Sequence, residues 1–425
     1  MEQLKFRKNI FRKLPRLPLI VLSIFFFIAI AGSFIANDKP VLFIQHGHYI
    51  FPAFSDDPYT IIYYQDGSSK NIRTDNVQWE AIPESFVLMP LIPYSAGKSD
   101  LNNSNFKSPF EKQFTSTKEG IKELSFRKRH HLGTGNLGND LLAGLIEGTR
   151  ISLTIGICSM IISLLIGTLL GLLSGYYGNS FLKLKRISAI LILILLLPAW
   201  FYFFELRSYS IQQSFDKSVL FGMMNVLISL SGFLAFLALP TIFISRIRFS
   251  GWLNNKIFIP IDAIINRIIE LFLSLPRIVV LITFALIFRP SVSSVILIIG
   301  LTSWTSIARM VRALVMSQRE SGFIDAGRSI GVPGWRLFLF HLLPSTYSQL
   351  KVFLIYGVAS AILAETGLSF LGIGVPQGIV TWGQLLYEGK ENVNAWWLIL
   401  FPGLCIFLLL ASLNTLADRL EKSEN

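Results

Sequence analysis

Repeated apolar runs, each close to the ~20 residues that carry an α-helix across a bilayer core, set the terms for this chain. They fall at about 17–36, 149–177, 187–205, 218–244, 264–288, 292–312, 349–370 and 395–416. A water-soluble core has no room for so much continuous apolar sequence, so the expected fold class is an all-α polytopic membrane protein. Composition agrees: 52% of residues are hydrophobic, 35 are phenylalanine and only 15% are charged. A formal charge of +12 could mark a nucleic-acid binder. In a membrane protein it marks the cytoplasmic side instead, and no nucleic-acid partner is expected. Cys158 and Cys405 both lie inside apolar runs, where a thiol acts as a small hydrophobe.

Charge then orients the spans. Residues 1–16 carry Lys5, Arg7, Lys8, Arg12, Lys13 and Arg16 ahead of the first run, and this flank stays cytoplasmic. Ala29-Ile30-Ala31 resembles a signal-peptide cleavage site, but the run is long and aromatic for a signal, so 17–36 is expected to be a retained first transmembrane helix. Residues 37–146 are polar, rich in Pro, Asn, Asp and Ser, with short strand-like runs such as "TIIYY"; they form the expected extracytoplasmic region. About eight crossings place the basic loops at Lys183–Arg186, Arg246–Lys256 and Arg309–Arg336 inside, with a cytoplasmic tail at 419–425.

One of those inner loops is unusual. "FIDAGRSIGVPGWRLFLFHLLPS", 323–345, is polar, glycine-hinged and proline-marked between two spans. It reads as two short helices, 316–330 and 333–343, with Gly331 as the permissive turn, Pro333 at the first helical position and Pro344 ending the second. The second helix is too apolar to lie free in water. It is either an interfacial helix or a docking element in which small residues admit a partner and charges set register.

Here the sequence resembles a known family. Asp325-Ala326-Gly327, then Gly331, then "HLLP" ending at Pro344 is similar to the EAA loop of ATP-binding-cassette importer permeases, with Asp for Glu and Gly for the second Ala. "HHLGTGNLGNDLLAGLIEGTRISL" (130–153), "ILAETGLSFLGIGVPQGIVTWGQLL" (362–386) and "WWLILFPGLCIFLLLASLNTLADRL" (396–420) resemble the dipeptide and oligopeptide branch; the early "IANDKPVLFIQHGHYIFPAF" resembles its microcin C-type members. The resemblance implies a type I importer transmembrane domain over 147–418, a six-span plan. About eighty residues, 179–258, interrupt that plan with two further apolar runs, and an even number of added crossings preserves the orientation downstream. The insertion is expected to be lipid-facing, with a site for an accessory subunit as the alternative.

The resemblance also implies roles and partners. Asp325, Ala326, Gly327, Gly331, Pro333, Arg336, His341 and Pro344 would form the coupling helix that docks on an ATPase. The chain would pair with a second permease subunit, two ATP-binding subunits and an extracytoplasmic substrate-binding protein, and would pass peptides across the cytoplasmic (inner) membrane. It would bind no cofactor itself, with ATP and Mg held by partner subunits. On residue chemistry, Glu365, Glu270 and Arg267 lie in or near spans where a lipid-facing charge is expensive; they are candidates for pathway or gating roles, or for helix packing. Arg267 and Glu270 can also pair along one helix face.

Other features point nowhere further. "AGKS" at 96–99 lacks the first glycine and the strand-to-helix context of a phosphate loop. His46, His48, His130 and His131 lack the companions of a metal site. No nucleophile triad or carboxylate pair supports an enzyme. The rival class is a secondary transporter driven by an ion gradient, which would need midplane ion ligands or inverted repeats.

Overall fold

A computed structural model describes residues 16–424 except 46, 56–58, 64–68, 75–76, 78, 80–81, 83–84, 118–119, 180–182, 218, 248–250, 321, 323–325, 328, 333, 338–339, 341 and 377. Helix α1 (Arg16–Ile35) is followed by β1 (Leu42–Gln45), β2 (His48–Ile50), β3 (Tyr59–Tyr63), β4 (Ser69–Arg73), β5 (Ser85–Leu88), β6 (Phe114–Thr117) and β7 (Gly120–Glu123). These make a three-stranded sheet in the order β2-β1-β5 and two hairpins, β3-β4 and β6-β7. Then come α2 (Leu141–Tyr177), β8 (Lys183–Lys185), α3 (Arg186–Trp200), α4 (Ser208–Lys217), α5 (Val219–Arg246) and β9 (Lys256–Phe258). The chain continues through α6 (Ile261–Ser274), α7 (Arg277–Ile287), α8 (Val292–Glu320), α9 (Gly334–Leu337), α10 (Leu343–Ser345), α11 (Tyr347–Phe370), α12 (Trp382–Glu391) and α13 (Trp397–Glu424).

Among the described residues, seven helices are long and apolar enough to cross a membrane, or eight if α6 and α7 together make one broken span. That break corrects the continuous run expected at 264–288. Leu275 is extended, φ −100° and ψ 140°, because the ring of Pro276 disfavours helical backbone in the residue before it. Within the insertion, a π segment at Phe201–Glu205 is followed by a turn at Leu206 and Arg207 and then by α4. Helix α13 continues into the expected tail at 419–425, as far as Glu424.

The chain divides into two compact units. The first comprises Met1–Ser163, Arg277–Ser303 and Ser348–Asn425. In it the three segments that carry the family resemblance meet. Trp382, fully buried, donates from Nε1 to the Leu145 carbonyl at 3.1 Å, and Trp397 donates to the Thr134 carbonyl at 3.1 Å. Helix α1 packs here too, with Phe25 edge-on to Trp382.

The second unit comprises Leu164–Pro276 and Trp304–Tyr347. Its core is Ile265, Ile269, Trp304 and Ala308, with Ile166, Leu170 and Leu173 packed against it. The insertion belongs to this unit and is a helical hairpin of α3 and α5 joined through Phe203, whose ring fills the space beside Gly232. Leu193, Leu197, Leu227, Leu239 and Phe243 are exposed around it. A helix apolar on all sides suits lipid. The strands β8 and β9 pair antiparallel and tie the two ends of the hairpin together.

One seam recurs along α2. Ser159, Ser163, Gly167, Gly171 and Gly175 are spaced by four, so they share a helix face. In the first unit Ser163 donates to the Gly300 carbonyl at 2.7 Å and Ser159 to that of Ile296 at 3.1 Å. In the second, a Cβ on Gly171 would lie 2.5 Å from the Ala308 carbonyl oxygen. Small residues bring α2 and α8 into backbone contact, the packing that membrane helices use where lipid supplies no hydrophobic drive.

Candidate functional site

The loop singled out in the sequence lies between α8 and α11 in the second unit. Helix α8 runs on to Glu320, past the expected boundary at 316, and Gly322 breaks it with φ +73°. A separate helical turn follows, with Ala326 N–H bonded to the Gly322 carbonyl and Ile330 N–H to that of Ala326. Gly331 ends the turn at φ +82°, and the Val332 N–H reaches back to the Gly327 carbonyl at 3.0 Å. This six-to-one bond over a left-handed glycine is a Schellman cap. The hinge expected at Gly331 is therefore present, and its reason is backbone conformation: nothing lies within 4 Å of a Cβ placed there.

After the cap the chain folds back. Leu337 in α9 is 1% exposed and sits on Gly327, where a Cβ would be 2.7 Å from the Leu337 Cδ2 atom. Gly327 thus closes the elbow. Ala326, Gly331, Arg336 and Pro344 are exposed on it. Asp325, Pro333 and His341 lie outside the described residues. Pro344 does not end a helix as expected. It sits in the first turn of α10, where its missing N–H costs nothing, and Thr346 N–H bonds to the Leu342 and Leu343 carbonyls before α11 begins.

The intramembrane charges separate by environment. Arg267 and Glu270 pair at 2.7 Å on α6, both exposed, as their three-residue spacing suggested. Glu365 is fully buried in the first unit, accepting hydrogen bonds from Ser152 at 3.1 Å and Ser369 at 2.8 Å. The buried carboxyl group joins α2 and α11 through these hydroxyls.

Two polar clusters escaped the sequence reading. In the second unit Asp262 takes two bonds from Arg312, one from Ser174 and one from Asn266, joining α6, α8 and α2. In the first unit His130 is buried between Asp140 at 2.9 Å and Asp100 at 3.3 Å, under the ring of Tyr94. Burial alone would lower the His130 pKa and is the largest influence on it. The hydrogen bonds and charges of Asp100 and Asp140 outweigh it, and the value is raised. Asp140 also caps α2 by accepting from the Ala143 N–H at 2.6 Å. Lys98 of "AGKS" is tied to Asp38 at 2.9 Å rather than poised over a phosphate. Among the described residues no cluster of His, Cys, Asp and Glu could hold a metal ion.

Residues 247–424, which include the elbow, match the family described as binding-protein-dependent transport system inner membrane component. A putative peptide transport system permease protein of Brucella suis biovar 1 is 36% identical over 160 residues, 37% of this chain and 54% of the relative. A putative peptide permease protein of Brucella ovis is 36% identical over 162 residues, covering 37% and 54%. The dipeptide transport system permease protein DppC of Bacillus subtilis is 32% identical over 163 residues, covering 38% and 51%. The chain spans about half the length of the curated relatives it matches. The matched segment begins close to where the helical insertion ends.

Proposed function

We propose that this chain is the transmembrane permease subunit of an ATP-driven importer and passes peptides across the cytoplasmic membrane together with a second permease. The carrying observation is the elbow of 322–346, a capped turn and a short helix folded onto each other through Gly327 and Leu337 inside a transport-family segment. Such a preformed element, exposed at Ala326, Gly331 and Arg336, suits docking on a soluble ATPase. Two ATP-binding subunits would supply the energy and hold ATP and Mg. An extracytoplasmic binding protein would deliver peptide to the side bearing 37–146. Both termini and the elbow would then be cytoplasmic, in keeping with the basic residues flanking the spans. Closure of the ATPase dimer would move the elbow and the spans attached to it as rigid bodies, giving alternating access. The chain itself would carry no catalysis.

The exposed Arg267–Glu270 pair fits this assembly. An ion pair set outward on a spanning helix is costly in lipid and reasonable against a second permease or a water-filled path. Reconstitution decides the matter. Peptide uptake into vesicles should require the co-purified ATPase subunits and ATP. Uptake by this chain alone under an ion gradient would establish the secondary-transporter class instead. Within the assembly, Gly331→Val forces a β-branched residue into left-handed backbone, and Asp325→Lys reverses the charge of the docking motif. Both should abolish co-purification of the ATPases while leaving membrane insertion intact.

A further inference from the structure

Arg277 has no place in the docking or packing schemes above. It opens α7, immediately after the break at Leu275-Pro276, inside a stretch that passes for a membrane span only when α6 and α7 are taken together. Its side chain is held from two other helices: Nη1 donates to the Ser360 hydroxyl of α11 at 3.0 Å, and Nη2 to the Ser303 hydroxyl of α8 at 2.8 Å. Both partners are neutral. Among the described residues no carboxylate pairs with this guanidinium, although the residue is exposed. A guanidinium stays charged under all working conditions and has five N–H donors, of which the serines use one on each terminal nitrogen. The first turn of a helix also has a positive electrostatic end, so it adds to the uncompensated charge.

Three physical facts narrow the occupant. A lone charge in a membrane span is retained where it faces a pathway. Interrupted backbone at membrane depth is tolerated where it is buried in protein or lines a water-filled cavity. A guanidinium fixed by hydroxyls on two helices cannot swing to the lipid headgroups, and its remaining donors keep the fork geometry that takes a carboxylate. We propose that Arg277, oriented by Ser303 and Ser360, is an anion-binding site on the translocation path that takes the C-terminal carboxylate of the passing peptide. This rests on the peptide-permease reading and adds a recognition site to it.

The test uses the full reconstituted assembly in vesicles and one short peptide in two forms, with a free C-terminal carboxylate and as the C-terminal amide. The same binding protein is used throughout, so its own preference cancels when the ratio of the two uptake rates is compared between variant and wild type. The wild-type assembly should favour the carboxylate form. Arg277→Gln should lower that preference about ten-fold by removing a charge-assisted pair, with amide uptake unchanged. Arg277→Lys should recover part of it, and Ser303→Ala with Ser360→Ala should weaken it by releasing the guanidinium. An unaltered ratio in Arg277→Gln overturns the site, as does a wild-type assembly that carries both forms equally well. Loss of the second permease from the Arg277→Gln complex also overturns it, because the occupant is then an acidic side chain of that subunit. If the wild-type assembly shows no ATP-driven uptake of either form, the peptide-permease reading itself fails, and this outcome is distinct from the others.

Discussion

Arg312 grips Asp262 through two parallel hydrogen bonds, Nε to Oδ1 at 2.5 Å and Nη2 to Oδ2 at 2.7 Å. The pair ties α8, which leads into the elbow, to α6. Ser174 of α2 adds a third bond to the same carboxylate. Removing one partner strands the other charge. Asp262→Asn should destabilise the protein by about 2–3 kcal/mol, less than the ~3–5 kcal/mol of a fully buried pair, because the Arg312 side chain keeps 27% exposure. Arg312→Lys should recover only part, since an ammonium cannot reproduce the two-pronged geometry. Denaturation in detergent measures both. An Asp262→Asn protein as stable as wild type would remove the pair from any structural role.

The α2 seam makes a steric prediction. Gly171→Leu must displace the Ala308 carbonyl and Val311, backbone and branched atoms that do not yield easily. It should cost about 1–3 kcal/mol by overpacking. Gly403→Leu is the control, because nothing lies within 4 Å of a Cβ at that position of α13. That substitution should be neutral or mildly stabilising through helix propensity. Equal losses at both sites would show that the seam is not a close contact.

What could be read in the sequence followed length and local backbone chemistry. Apolar runs located the spans, and Gly331 announced a left-handed turn before any contact was known. The break at Pro276 was visible as a Leu-Pro within a run, but average hydropathy passed over it. Pro344 reads as a terminator because proline stops helices from within; its tolerance in a first turn is positional and depends on where α10 begins. The Asp262–Arg312 pair joins residues far apart in the chain, and single-sequence periodicity says nothing about such distances. The seam of Ser159, Ser163, Gly167, Gly171 and Gly175 did carry a local signal, small residues every fourth position. Glu365 illustrates the remaining limit: a carboxylate in a span is flagged by its cost, while the hydroxyls that satisfy it come from Ser152 on another helix.

The His130 cluster predicts a pH dependence for the region between α1 and α2. The pKa of His130 is raised when folded, so its protonated form contributes stability that is fully present below the ordinary value of 6.5 and is lost as pH rises through the folded value. Asp100 works in the opposite sense. Burial raises its pKa, but hydrogen bonds from His130, Asn103 and the Asn102 backbone hold it below 3.8. Its contribution is present above that value and is lost as pH falls through the lowered one. Stability should therefore fall on the alkaline side of 6.5, and His130→Gln should flatten that limb. Melting curves across pH for the two proteins decide it. Parallel profiles above 6.5 would dismiss the histidine as the cause.

The insertion should be removable. Its two ends meet where the Asp262 N–H bonds the Gly178 carbonyl at 3.2 Å and the Ala263 N–H bonds the Asn179 side chain at 3.0 Å. The β8–β9 clasp above this junction serves only the hairpin. Deleting 180–260 and joining Asn179 to Ile261 through a Gly-Ser-Gly linker should leave the Asp262–Arg312 pair intact. The melting temperature should stay within about 2 °C of wild type, the shift expected for ~1 kcal/mol or less in a protein of this size. Because α3 and α5 remove two crossings together, a reporter fused after Glu424 should stay on the same side of the membrane. A reporter that changes sides would mean that the hairpin contributes an odd number of crossings, and the orientation assigned to the elbow would have to be reversed with it.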